Sequence, residues 1–343
     1  MSKRVNRRAP TLRVVDLDSP SCLTPNGIGV SQAKQEPSFE LSDRIWRALA
    51  CPACHGDLTA SDRGVTCDSC GTHYPASDRQ PDLRPVSDKH VMLEAVVRPY
   101  GRTGPRPPVR PQPIPFHRSA VVDIHPEKLP GNLLSGNGLT RELASWFPAG
   151  DENGLALDLG SGDGRIRPIL ELTGLEYVGL DVEGSAPTVL GLGEALPFKD
   201  SSIDLVFALG VVAHTTNPFL TCQEIARVLK PGCSFIGTTQ FLEACAMNSR
   251  HHVTFNGLWD WLDSAGLEVV QVEANTEWSG IKAILQMGYL PSRFGLARGV
   301  AAAIDSLHRW WNRRRAAGED TPLGESPPEG YTGGFRFVAR LAE

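Results

Sequence analysis

Short apolar runs closed by glycine, aspartate or polar residues recur along the second half of the chain. LALDL at 155–159, YVGL at 177–180, IDLVFAL at 203–209, SFIGT at 234–238, LEVVQV at 267–272 and FRFVARL at 335–341 have strand length, and their bounding residues favour turns. Between them, apolar positions recur every three or four residues at 218–229 and 258–265, which predicts helices. An earlier helical pattern, LTRELASWF at 139–147, has Thr140 in position to cap it. Strands alternating with helices predict an α/β domain over 131–343, built on a mostly parallel, doubly wound sheet.

The pattern is absent elsewhere. Residues 1–42 mix Arg, Ser, Pro, Gln and Lys without a sustained apolar period and read as a disordered or loose arm. Residues 85–130 centre on PYGRTGPRPPVRPQPIP, in which so many missing N–H groups preclude helix or sheet, so the segment reads as a linker. Residues 275–333 form an insertion before the last strand. Within it Leu296, Val300, Ile304, Leu307 and Trp311 recur at helical spacing beside Arg309, Arg313, Arg314 and Arg315, which predicts a helix. Three roles stay open for it: a lid over a substrate, a membrane-surface contact, or an extra core helix.

The chain of 343 residues is 41 % hydrophobic, enough for one large domain or two modest ones. A net charge of -5 carries no global nucleic-acid signature, so nucleic acid is not an expected partner. No apolar run reaches membrane-spanning length, and MSKRVNRRAP is basic without an apolar stretch behind it. A cytoplasmic protein is the expectation. The cysteines agree: Cys22, Cys222, Cys233 and Cys245 follow no disulfide framework, and the other four are grouped.

Those four are Cys51 and Cys54 in LACPACHGDL, and Cys67 and Cys70 in VTCDSCGTHYP. Two CxxC knuckles provide four thiolates around one point, the donor set of a structural zinc, and predict a small zinc ribbon over 43–84. His55 and His73 lie nearby, but four sulfurs already complete a tetrahedral site. The second candidate site is LDLGSGDGR at 157–165. A buried strand there runs through Asp158 into glycines at 160, 162 and 164, so backbone can approach a ligand closely; Asp181, at the end of the next strand, is placed for ribose hydroxyls.

The ordered motifs from 157 onward are DLGSGDG, an acidic strand end at Asp181, LPF, IDLVF and ARVLKPG. Together they make residues 135–274 resemble a class I S-adenosylmethionine-dependent methyltransferase of the type 11-like group, with a seven-stranded sheet. The ribbon, with Tyr74, Pro75 and Asp78 after its second knuckle, resembles the zinc-ribbon proteins that activate methyltransferases. The resemblance implies that Asp158, Gly160, Ser161 and Gly162 surround the methionine part of the cofactor, that Asp181 takes the ribose hydroxyls, and that Val182 packs on the adenine. Gly193, Glu194 and Leu209 complete the implied cofactor set. One departure stands out: where the family carries an acidic residue for the adenine amino group, this chain has Leu192. That implies weaker affinity or a replacement contact from the Gly193 backbone.

Methyl transfer from a sulfonium needs a base only when the acceptor is a weak nucleophile. His214, in GVVAHTTNP beyond the strand at 203–209, is the candidate base; a helix cap or a solvent-facing histidine is the alternative. His251 and His252 are candidates for the acceptor border, and Trp259 and Trp261 for packing. The expected function is methylation of a small molecule such as a sugar, glycan precursor or secondary metabolite, with a protein partner available to the ribbon. The alternatives are a ribosomal RNA base methyltransferase and a catalytically inert scaffold.

Overall fold

The computed structural model describes residues 39, 41–61, 64–75, 80–85, 139, 141–242, 249–274, 299–300, 302–304, 306–307, 310 and 332–342. Nearly all of the expected arm and linker, most of the 275–333 insertion, and with them Cys22, Cys245, Leu296, Arg309, Trp311 and Arg313 to Arg315, lie outside the described residues.

The cysteine-bearing segment opens with α1 (Asp43–Ala48), which Ser42 caps by accepting from the Ile45 amide at 3.2 Å. Strands β1 (Leu58–Ser61), β2 (Gly64–Cys67) and β3 (His73–Pro75) follow as an antiparallel meander. The larger part runs α2 (Arg141–Ala144), β4 (Leu155–Leu159), α3 (Arg167–Leu170), β5 (Glu176–Asp181), β6 (Val189–Leu190), β7 (Ile203–Leu209), α4 (Pro218–Val228), β8 (Leu229–Gln240), α5 (Phe255–Ser264), β9 (Leu267–Ala274) and β10 (Gly334–Leu341). Its seven strands are ordered β6-β5-β4-β7-β8-β10-β9. All pairings are parallel except those of β10, which is antiparallel to both neighbours. This is the expected seven-stranded doubly wound sheet.

The departures from the sequence pattern have local causes. The α2 helix is shorter than 139–147. β8 begins at Leu229, which pairs with Ile203 before the ladder breaks and resumes at Ser234. α5 starts at Phe255 because Thr254 Oγ1 accepts from the Gly257 amide at 3.1 Å and caps the helix there. The short stretch after Asp181 holds only the two-residue β6.

Apolar residues fill both faces of the sheet. On one face, Leu139, Leu143, Phe147, Ile169, Phe207 and Val338 pack together. The cluster on the other face joins sheet residues such as Leu157, Val206 and Phe235 to Ile45, Leu49, Val65, Tyr74 and Leu83 of the cysteine-bearing segment. Backbone pairing reinforces this union: Ala50 N donates to Pro197 O at 3.0 Å and Lys199 N to Ala48 O at 2.8 Å. The exit strand of the segment continues the sheet beyond β6, with Leu83 N on Leu190 O at 2.9 Å and Leu190 N on Pro81 O at 3.0 Å. An edge that would offer unpaired amides is thereby covered. The ion pairs Arg44–Glu176 and Lys199–Asp57 at this interface are partly exposed and add little by comparison.

In the insertion, Val300, Ile304 and Leu307 are exposed. A core-helix role is therefore not supported at these positions. Among the described residues no helix is long and apolar enough to cross a membrane.

Phe198 is fully buried in the shared cluster. Phe198→Ala is expected to cost about 3–5 kcal/mol. In urea titration of the zinc-loaded chain, sheet unfolding followed by circular dichroism and release of zinc from the four thiolates followed by a chromogenic chelator should share one shifted midpoint. Separate midpoints would contradict a common core.

Candidate functional site

The four cysteine sulfurs lie within 4.8 Å of one another. Cys51 and Cys70 Sγ are 3.8 Å apart, and Cys54 and Cys67 Sγ 3.4 Å apart. A tetrahedron with Zn–S bonds of about 2.3 Å has edges of about 3.8 Å, so the tetrad fits a structural zinc. Cys51 and Cys67 are buried and the other two exposed. Tyr74 Oη lies 3.1 Å from Cys51 Sγ, and Thr72 Oγ1 3.1 Å from Cys70 Sγ, as hydroxyls that can temper thiolate charge. Thr72 also holds the Cys70 thiol down to about 6.

The glycine loop forms because β4 pairs in parallel with β5, setting Leu159 beside Leu180. Beyond Leu159 the chain folds back onto the end of β5: the Gly160 and Ser161 amides both donate to Leu180 O, at 2.8 and 3.1 Å. The Gly162 amide donates to Asp181 Oδ2 at 2.8 Å, while Asp181 Oδ1 accepts from the Val182 amide at 2.7 Å. Gly160 has φ +74°, and a Cβ there would lie 2.2 Å from Val211. No other residue fits. At Gly162, with φ +54°, a Cβ would meet nothing within 4 Å, so that side of the loop is open to a ligand.

Beneath the loop, Asp158 is 2 % exposed and accepts from Tyr177 Oη at 3.0 Å. Burial raises its carboxyl to about 7, against the opposing effect of the Tyr177 hydrogen bond and with a smaller contribution from the charge of Asp181. Ser161 Oγ is buried without a hydrogen-bond partner among the described residues. Val182 is 46 % exposed, an apolar surface beside the Asp181 carboxylate. A carboxylate, a bare backbone loop, a buried hydroxyl and an apolar platform suit a ligand that combines vicinal hydroxyls, a flat ring and a polar chain.

Asp158, Gly160, Ser161, Gly162, Asp181 and Val182 thus converge. Leu209 ends β7 nearby, and Val211 packs against the glycine loop. Glu194 is engaged elsewhere: its buried carboxylate accepts from the Thr216 and Asn217 amides at 2.5 and 3.4 Å, and Asn217 in turn caps α4. It therefore holds the loop that carries His214. Gly193 sits beside this anchor, where a Cβ would crowd Thr221.

His214 closes a 3-10 turn, half-buried, and desolvation lowers its pKa below the ordinary 6.5, leaving a neutral imidazole at pH 7. The amides of Arg250 and His251 both donate to Ala213 O, at 2.9 and 3.0 Å, which brings the histidine pair to the same edge of the sheet. His251 stands edge-on to Trp261 and its Nε2 is buried without a hydrogen bond; Thr239 Oγ1 and Gln240 Oε1 are likewise buried and unpaired among the described residues. Sequence reasoning passed over Thr239 and Gln240. Their signal was slight: two polar residues closing an apolar strand at its carboxyl end.

Residues 157–237 match the family described as "Methyltransferase domain". The chain is 35 % identical over 103 residues to the biotin biosynthesis bifunctional protein BioHC of Cellvibrio japonicus, a stretch of 26 % of this chain and 20 % of that protein. It is 28 % identical over 137 residues to the uncharacterized methyltransferase MLBr02584 of Mycobacterium leprae, covering 36 % of this chain and 46 % of the relative. The chain thus spans less than half the length of these curated relatives. Among solved structures, a chain from the complex between the Haloferax volcanii Trm112 methyltransferase activator and a methyltransferase is similar at 17 % identity and a TM-score of 0.39, over 59 % of this chain and 88 % of that one. An S-adenosylmethionine-dependent methyltransferase from Mesorhizobium loti is similar at 14 % identity and a TM-score of 0.39, over 60 % and 99 %.

The raised Asp158 carboxyl has a measurable consequence. Because the folded state binds this proton more tightly than the unfolded state, stability is greatest below the ordinary carboxylate range. It falls as pH rises toward about 7, by up to about 1.4 kcal/mol per pH unit, and is level above it. Asp158→Asn should remove that slope. Urea titrations at pH 5 and pH 8 should show the variant gaining on wild type at the higher pH; an equal difference at both would contradict the raised pKa.

Proposed function

We propose that this chain, whose residues 157–237 form a methyltransferase domain, transfers a methyl group from S-adenosylmethionine to a small-molecule acceptor. The observation that carries the reading is the convergence of the Gly160–Gly162 amides on the end of β5, with Asp181 fixed at the mouth of the loop. When bound, the cofactor supplies a methyl on a sulfonium and departs as a neutral thioether. The residues have to bind, orient and exclude water.

Asp181 takes the ribose hydroxyls with the lone pairs its two amide partners leave over, and Val182 covers one adenine face. Gly162 admits the methionine chain, and Ser161 Oγ acquires the partner it otherwise lacks. Asp158 faces the cofactor's amino end, where an ammonium favours its ionised form. Leu209 and the Gly193 backbone border the adenosyl group, and Glu194 acts by holding the loop. Nothing acidic stands at Leu192, so the adenine amino group has backbone alone for recognition there. His214, neutral at pH 7, takes the proton from an acceptor hydroxyl, and His251 with Gln240 borders the acceptor.

Calorimetry with S-adenosylhomocysteine tests the cofactor part. Wild type should bind, and Asp181→Ala should bind at least about tenfold more weakly, the loss of charge-assisted hydrogen bonds. Absence of binding to wild type would favour an inert scaffold.

Incubation of small-molecule extracts with labelled cofactor should reveal an acceptor one methyl heavier; labelling of ribosomal RNA instead would favour the nucleic-acid alternative. With a hydroxyl acceptor, turnover should persist at pH 6.5 and be lost only on further acidification, because the His214 pKa is depressed, and His214→Ala should abolish that limb. An unchanged pH profile would remove His214 from the mechanism.

A further inference from the structure

The turn that leaves β5 carries Asp181 and Val182, yet the backbone of its outer half is held from outside the methyltransferase domain. Two side chains on the exit strand of the cysteine-bearing segment reach it. Arg84 Nη1 donates to Val182 O at 3.1 Å, and Gln80 Nε2 donates to Gly184 O at 2.8 Å. Gly184 has φ +106°, a conformation open to glycine but not to residues with a Cβ, and Val182 N is already turned inward onto Asp181.

Arg84 is itself aimed. Asp82 accepts from its Nε and Nη2, which leaves Nη1 directed at Val182. That pairing holds the Asp82 carboxyl below its usual range. Fastening the segment to the sheet does not require these contacts, since the Ala50–Pro197, Lys199–Ala48 and Leu83–Leu190 backbone pairs and the common apolar cluster supply it.

Resting on the methyltransferase reading above, we propose that Arg84 and Gln80 are positioning residues for the cofactor. They hold the 181–184 turn in its binding shape, so that the zinc-bearing segment sets cofactor affinity. A turn ordered in advance spares the ligand the entropic cost of ordering it. Asp82 acts through Arg84.

The test uses the full chain loaded with zinc. S-adenosylhomocysteine binding by calorimetry, thermal midpoints without ligand, and hydrogen exchange at Val182 and Gly184 are compared in Arg84→Ala, Gln80→Ala, the double variant, Asp82→Asn and Gln80→Glu, which keeps the size of Gln80 without an N–H to donate. Lys199→Ala, which breaks a different interface contact, is the control.

The double variant should bind about tenfold more weakly and exchange faster at the turn, with a midpoint within a few degrees of wild type. Gln80→Glu should lose as much affinity as Gln80→Ala, and Lys199→Ala should lose none. Wild-type affinity and exchange in the double variant would overturn the assignment alone. So would an affinity loss that tracks the fall in midpoint across all variants, Lys199→Ala included. A wild-type chain that binds no S-adenosylhomocysteine would overturn the methyltransferase reading and this assignment with it.

Discussion

Three consecutive amides, those of Gly160, Ser161 and Gly162, turn back onto the end of the neighbouring strand, and the site is built around that turn. A buried N–H must find an acceptor. Leu180 O and the Asp181 carboxylate supply the acceptors because the parallel β4–β5 register places them alongside. The same reversal seals Asp158 beneath the loop, which raises its carboxyl and pairs it with Tyr177. One backbone constraint therefore determines the open glycine face, the orientation of Asp181 and the protonation behaviour of Asp158.

Around this centre, several motif residues hold the scaffold rather than a ligand. Lys230 of the ARVLKPG motif pairs with Asp204 at 2.8 Å, and Asp204 accepts from the Leu155 amide, which ties the start of β4 to β7 and β8. Arg227 of that motif donates to Leu196 O and Phe198 O and pairs with Glu224, whose other contact is the Leu196 amide. This network shapes the 196–200 loop against which the zinc ribbon packs. The buried Arg336–Glu273 pair joins the two antiparallel strands, with Trp146 stacked on the guanidinium.

The ribbon is likewise more than an attached module. Tyr74 is fully buried in the cluster that also holds Phe198, and its hydroxyl touches Cys51. The second cysteine pair, the shared core residue Tyr74 and the sheet edge at Pro81 to Leu83 follow one another in the chain.

The sequence by itself determined the bounds of β4 and β7, the start of the helix at Pro218, the cysteine tetrad, and the glycine loop with Asp181, because each is written locally. Strand periodicity, ligand spacing and the need for positive φ depend on a few neighbouring residues. It left open where the ribbon sits, what Glu194 holds, whether the row Val300, Ile304 and Leu307 is covered, and which polar groups meet at the carboxyl edge. Only the tertiary structure decided these. Gln80 and Gly184, Glu194 and Thr216, and Ala213 and His251 are far apart in the chain, and contacts at such separation follow from strand order and packing rather than from any local pattern.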